Sequence, residues 1–306
     1  MIHTDPVAFT LFGVSVYWYG VLISIGAILG ITIASLREKR LGLQDGTALD
    51  FVLICLPVAL ICARLYYVIF QWDEFQGDIV AIISFRGGGL AIYGGVIGGA
   101  AAGYFFTRRR HIRFSALADL CAPALAIGQA VGRWGNFVNQ EAYGAAITDK
   151  ALQFFPLAVW IEKEGAWFAA TFFYESMWCL LTCAALLIME RRHFFRRGGD
   201  TFLWYLLLYG VERMAVEQLR TDSLWLGPVR ISQILSLLAV AAVLSVFFLR
   251  GVKRGGRVAA FAGALCLLGA TIALAAAGQW VLQLPLDAVV IALGAWLYRG
   301  TPERTV

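Results

Sequence analysis

The sequence predicts an all-α fold: a polytopic integral membrane helical bundle, with a seven-helix core over 1–250 and a two-helix hairpin within 251–306. Three observations carry this. Of the 306 residues, 60% are hydrophobic and only 15% charged, against roughly 25% charged in ordinary soluble domains. Nine stretches run to about 20 mostly apolar residues, the length that crosses a bilayer. Basic residues gather in alternate connections, as they do in the cytoplasmic loops of membrane proteins. The mean hydropathy of +0.74 agrees. These features exclude most cytosolic enzymes and disordered scaffolds. The net charge of +5 belongs to loops facing a membrane, so no nucleic-acid partner is expected.

In chain order the predicted spans are 17–36, 49–70, 88–106, 115–134, 170–189, 201–219, 231–249, 258–278 and 281–298. Basic clusters follow the odd-numbered spans: Arg37/Lys39/Arg40, Arg108/Arg109/Arg110/Arg113, Arg191/Arg192/Arg196/Arg197, Arg250/Lys253/Arg254/Arg257 and Arg299/Arg304. They hold 17 of the 25 Lys and Arg. Positive-inside bias then puts the N-terminus outside and the C-terminus in the cytoplasm. In the third span Gly95, Gly99 and Gly103 recur every four residues, a face on which helices pack closely. The longest outer connection, 135–169, carries Phe154, Phe155, Trp160, Trp167 and Phe168. Such aromatic content suits a surface-lying or re-entrant element at the membrane–water interface. The six cysteines lie in apolar stretches without ligand spacing, and read as small buried hydrophobes rather than a metal site.

Function is sought where charge enters the membrane, since an Arg or Asp at a span's centre costs about 2.5–3.5 kcal/mol on insertion scales. In 201–219, TFLWYLLLYGVERMAVEQL, Tyr209, Arg213 and Glu217 stand at i, i+4 and i+8, one face of a helix. Arg213, twelve residues past the cytoplasmic start, lies about 18 Å into the bilayer. A structural Arg–Glu pair would explain this stripe alone. The segment GRWGNFVNQEAYG at 132–144 gathers Arg133, Asn136, Asn139 and Glu141 among three glycines. Irregular polar backbone at membrane depth is tolerated only when buried in protein or lining a cavity. Arg86 and Tyr93 sit near the outer end of the third span, and Tyr19, within YWYG, starts the first on the same side. Two arginines around a membrane-embedded site point to an anionic substrate such as a phospholipid head group, and guanidinium matches phosphate oxygens well. Asp119, Glu175 and Arg64 are also intramembrane. The two carboxylates either orient the arginines or pair with Arg64. The three histidines, His3, His111 and His193, fall in loops or at the terminus. A histidine base, a Ser–His pair and a zinc site are therefore not expected.

GRWGNFVNQEAYG closely resembles the signature of bacterial prolipoprotein diacylglyceryl transferases. YGVERMAVEQLR at 209–220, YWYG at 17–20 and the glycine-rich third span follow in the family's order, and the resemblance covers about residues 9–250. It implies a bacterial inner-membrane enzyme that moves the diacylglyceryl group of phosphatidylglycerol to the lipobox cysteine in a prolipoprotein signal peptide. The products are a thioether and glycerol 1-phosphate, and no cofactor or metal is implied. By the same resemblance, Arg133, Asn136, Asn139, Glu141 and Gly144 bind substrate, and Tyr19, Tyr209, Arg213 and Glu217 are catalytic, with Tyr93 taken as a further catalytic residue in place of the family's His. Family members often carry His where this chain has Tyr93, and their usual core has seven spans, so the last two here are additional.

The thiol must become a thiolate, and the charge on the departing phosphate must be stabilised, which suits Arg133 and Arg213. Tyr93, Glu217 and Glu141 all stand as proton acceptors. The rival reading is a transporter or flippase of an anionic lipid or solute. Transporters often show inverted repeats, and no internal repeat is visible here.

Overall fold

The computed structural model describes residues 6–84, 88–221, 223, 225–226, 229–251, 255–278 and 280–301. His3, Arg86, Lys253, Arg254 and Arg304 lie outside them. The chain opens with strands β1 (Val7–Leu11) and β2 (Val14–Tyr17), then α1 (Trp18–Ser35), α2 (Thr47–Phe70), short helices α3 (Trp72–Phe75) and α4 (Ile79–Ile83), α5 (Ile92–Arg110) and α6 (Phe114–Asn139). There follow β3 (Ala158–Ile161), β4 (Ala166–Ala169), α7 (Thr171–Arg191), α8 (Asp200–Glu217), β5 (Trp225–Leu226), β6 (Val229–Arg230), α9 (Ile231–Arg250), α10 (Gly255–Ala276) and α11 (Trp280–Arg299). The strands form three two-stranded antiparallel hairpins, so the fold is all-α apart from its connections.

Each of the nine predicted spans corresponds to one long helix. Seven of these, α1, α2, α6, α7, α9, α10 and α11, are long and apolar enough to cross a membrane, and the chain is a multi-pass membrane protein. The other two carry the polar content: α5 holds five glycines and a terminal Arg triplet, and α8 holds Asp200, Glu212, Arg213 and Glu217. Two edges move. The predicted start at 88 gives way to Ile92, because Gly88 and Gly89 adopt positive φ and present their carbonyls to Arg64. The predicted end at 134 extends to Asn139, where Gln140 breaks the helix at φ 51°.

The chain divides into two compact units, 1–30 with 122–306, and 31–121. In the second unit α2 and α5 pack closely. The expected small-residue face is displaced by one residue. The closest approach to α2 falls at Gly94 and Gly98: a Cβ on Gly98 would lie 2.6 Å from the Cβ of Cys62, whereas Cβ atoms on Gly95 and Gly99 would meet α2 only at ordinary contact, 3.8 Å and 3.6 Å. Among the described residues Arg64 pairs with no carboxylate. Its guanidinium donates to the carbonyls of Ala81, Ile82, Gly88 and Gly89 and fixes the chain between α4 and α5. Arg37, buried, donates to the carbonyls of Asp119 and Leu120, while Glu38 accepts from the amides of Gly46 and Ala48. A carboxylate there satisfies otherwise unpaired donors at the start of α2.

In the first unit α1 meets α6 through small residues. Cβ atoms on Gly26 and Gly30 would lie 3.3 Å and 3.1 Å from the carbonyl oxygens of Gly128 and Ala124. Such residues let helix backbones approach. The start of α8 is tied to its neighbours by Asp200, which pairs with Arg250 at 2.7 Å and accepts from the Tyr298 hydroxyl at 2.6 Å. Within the 135–169 connection, residues 135–139 continue α6, and β3 and β4 form an antiparallel hairpin. Trp160 pairs with Trp167 across β3 and β4. Its inner side joins Val159, Ile161, Ala170 and Phe172 into a small core with Trp134 and Phe137 of α6.

Candidate active site

Continuation of α6 to Asn139 places Arg133, Asn136 and Asn139 along one side of a single helix, since residues three apart are neighbours on its surface. The chain then turns back through Gln140 and Ala142, both at positive φ. This return brings Glu141 over the helix end. Its Oε1 accepts from Asn136 Nδ2 at 2.9 Å and Asn139 Nδ2 at 3.3 Å, and Arg133 Nη1 reaches Asn136 Oδ1 at 3.5 Å. The return is held from outside. Thr171 Oγ1 donates to the Ala142 carbonyl at 2.6 Å, and the Gly144 and Ile147 amides donate to the carbonyls of Ala169 and Trp167 along β4. Glycine is required at 144: a Cβ would lie 2.8 Å from the Ala169 Cβ and 2.9 Å from Thr171 Cγ2.

Arg133 points to α7, where Glu175, 1% exposed, is the centre of the charged cluster. Glu175 Oε2 pairs with Arg133 and, at 3.3 Å, with Arg213 Nη1; Oε1 meets Arg220 Nη1 at 3.4 Å. Arg213 also pairs with Glu217, one turn on along α8. The three arginine side chains are only 12–20% exposed. Each guanidinium has five N–H donors, while one carboxylate offers about four acceptor sites. Arg133 and Arg213 therefore bring more donors than Glu175 and Glu217 accept. Tyr209 stacks on Tyr205 with centroids 5.8 Å apart, and Tyr205 donates to Gln129 Oε1 at 3.0 Å. Tyr209 lies within electrostatic reach of Arg133 and Arg213. The ring of Tyr19 covers the backbone of Gly135, where a Cβ would lie 2.5 Å from Tyr19 Cδ2. Tyr19 is also within electrostatic reach of Glu141 and Arg133.

The sequence profile described as prolipoprotein diacylglyceryl transferase matches residues 6–249. The chain belongs to that family. Among its relatives, the phosphatidylglycerol–prolipoprotein diacylglyceryl transferase of Bacillus cytotoxicus is 42% identical over 249 residues, covering 80% of this chain and 91% of that protein. The proteins of the same name from Bacillus cereus and Bacillus anthracis are 44% and 43% identical over the same extents. Residues 250–306, with α10 and α11, lie beyond the family match.

Nine of the ten site residues proposed from sequence and family resemblance lie in the first unit. Within it, direct contacts link Arg133, Asn136, Asn139 and Glu141, and Arg213 and Glu217 join Arg133 through Glu175. Tyr19 covers the α6 segment at Gly135, and Gly144 seats the return loop against Ala169 and Thr171. Tyr93 belongs to the second unit, near the start of α5, with its ring 6.4 Å from that of Tyr66. Sequence reasoning leaves the role of Glu175 open and assigns none to Glu212 or Arg220. The available signal was an intramembrane carboxylate on one helix and unmatched arginines on others. Only the fold shows that three guanidinium groups share it.

Proposed function

We propose that this chain transfers the diacylglyceryl group of phosphatidylglycerol to the lipobox cysteine of prolipoproteins, forming a thioether and releasing glycerol 1-phosphate. The observation that carries the reading is the convergence of Arg133, Arg213 and Arg220 on the single carboxylate of Glu175. Arg133 and Arg213 carry more N–H donors than Glu175 and Glu217 accept, and they stabilise the lipid phosphate's charge as the carbon–oxygen bond breaks. Arg133, Asn136, Asn139, Glu141 and Gly144 form the substrate-binding set. Tyr19, Tyr93, Tyr209, Arg213 and Glu217 serve the reaction. Glu217 holds Arg213 in register, and Tyr19 keeps the α6 backbone aligned. Phosphatidylglycerol enters laterally, and the signal-peptide helix with its lipobox cysteine approaches through the same bilayer.

The cationic loops orient the chain in the bacterial inner membrane with the N-terminus periplasmic and the C-terminus cytoplasmic. Residues 1–250 form the transferase core, and 251–306 are an appendage packed on it. The direct test is full-length protein in vesicles with head-group- and glycerol-labelled phosphatidylglycerol and a lipobox peptide. A thioether adduct is expected, lost in Arg133→Ala and Arg213→Ala with the fold retained. Movement of lipid without an adduct would replace this reading with transport.

A further inference from the structure

We infer that Gln283, on a helix outside the family match, is a positioning residue for the arginine cluster, acting through the C-terminal turn of α8. The inference rests on the transferase reading above and extends the support of the same site to the appended hairpin. α8 carries Tyr209, Arg213 and Glu217, and Arg220 follows directly. Beyond Glu217 the chain tightens: the amides of Leu219 and Arg220 donate three residues back, to the carbonyls of Val216 and Glu217. Such turns have poorer hydrogen-bond geometry than an α-helix, and the last carbonyls of a helix have no partner within it. Yet this turn sets where Arg220 meets Glu175, at 3.4 Å, and where Glu217 holds Arg213.

Two glutamines from neighbouring helices brace it. From α9, the buried Gln233 donates through Nε2 to the Met214 carbonyl at 3.3 Å. From α11, Gln283, 1% exposed, accepts at Oε1 from Nε2 of Gln218. Gln218 stands five residues past Arg213, about 140° further around the helix. Gln283 therefore supports the turn from behind and does not enter the site.

A span that only anchors the chain needs apolar side chains, because polar ones within a membrane segment are costly and rare. The inward stripe of α11 is different. Gln283, Asp287, Val290, Gly294 and Leu297 recur at three or four residues, and all are buried. This stripe faces α8: a Cβ on Gly294 would lie 3.0 Å from Leu207 Cδ2, and Tyr298 donates to Asp200 at the start of α8. α11 thus runs beside α8 from end to end. It meets the end that bears the cluster with an amide rather than with hydrocarbon. Interhelical hydrogen bonds of this kind fix one helix against another within a bilayer.

The test uses full-length wild type, Gln283→Met, Gln218→Met, the double variant and Tyr298→Phe, in phosphatidylglycerol vesicles with a lipobox peptide. Methionine approximates the volume of glutamine without its amide. Rates are counted per folded molecule, so a loss of stability alone does not move them. Each single methionine variant should lose about tenfold to a hundredfold in kcat/KM for the lipid, the scale of a small misplacement at a reacting centre. The double variant should lose no more than the worse single one, as residues sharing one interaction do. Tyr298→Phe cuts the tie at the far end of α8, so it should lower stability and leave kcat/KM at the wild-type value. Unchanged kcat/KM in the methionine variants, additive losses, or an equal loss in Tyr298→Phe would overturn the inference. Should Gln283→Met not accumulate folded, Gln218→Met breaks the same bond from α8 and decides by the same criterion. Absence of any thioether from wild type would instead remove the transferase reading itself.

Discussion

Replacing Glu175 by Gln keeps the side chain's volume and removes the charge that three guanidinium groups share. No cavity term enters, so the change reads electrostatics alone. The arginines are 12–20% exposed, which leaves little water to substitute for the lost carboxylate. The contacts at 3.3 and 3.4 Å are long for charge-assisted hydrogen bonds, so Arg213 and Arg220 lose mainly charge compensation. Arg133 loses both charge and its close contact. Removing one partner of a buried ion pair costs roughly 3–5 kcal/mol, which lowers the folded-to-unfolded ratio by about a hundredfold to a few thousandfold. Reversible unfolding in mixed detergent micelles, followed by tryptophan fluorescence, measures it. Adding Arg133→Gln to Glu175→Gln should cost less than the sum of the single changes, because neighbours sharing an interaction are non-additive. A loss under about 1 kcal/mol, or strict additivity, would refute the shared-carboxylate argument.

Gly144→Val should push the return loop off β4 and cost about 1–3 kcal/mol. With Glu141 displaced, KM for phosphatidylglycerol should rise in a lipid titration. Tyr93→Phe should lower kcat with KM for phosphatidylglycerol unchanged, and retained turnover would eliminate the tyrosine as proton acceptor. Tyr298→Phe removes the hydroxyl that donates to Asp200 and accepts from the Arg196 amide at 2.8 Å. It should lower stability by about 1–3 kcal/mol, read in the same micelle assay, through residues outside the family match.

The spans were legible because a bilayer crossing writes itself as length and apolarity, and long helices depend on little else. Their edges were less so. Ile92 and Asn139 mark helix ends that are set by Arg64 drawing in carbonyls and by a positive-φ turn at Gln140, neither of which is a local composition signal. The same limit moved the packing stripe from Gly95 and Gly99 to Gly94 and Gly98, since a helix with five glycines offers several such faces and α2 selects one.

The site divides along similar lines. Arg133, Asn136, Asn139 and Glu141 were legible together because one short segment carries them, and Tyr209, Arg213 and Glu217 because helical spacing aligns them. Glu175 was visible as a charge but not as a partner. Whether it served Arg64 or the site arginines depends on which helices adjoin α7, a long-range property absent from any window of sequence. That choice also determines what the arginines can do. Were Glu175 spent on Arg133 alone, Arg213 would keep only Glu217. Shared among three guanidinium groups, it holds them at one point of the fold, while Arg133 and Arg213 still carry more N–H donors than Glu175 and Glu217 accept, so a network that is a structural set of ion pairs is also able to receive a phosphate.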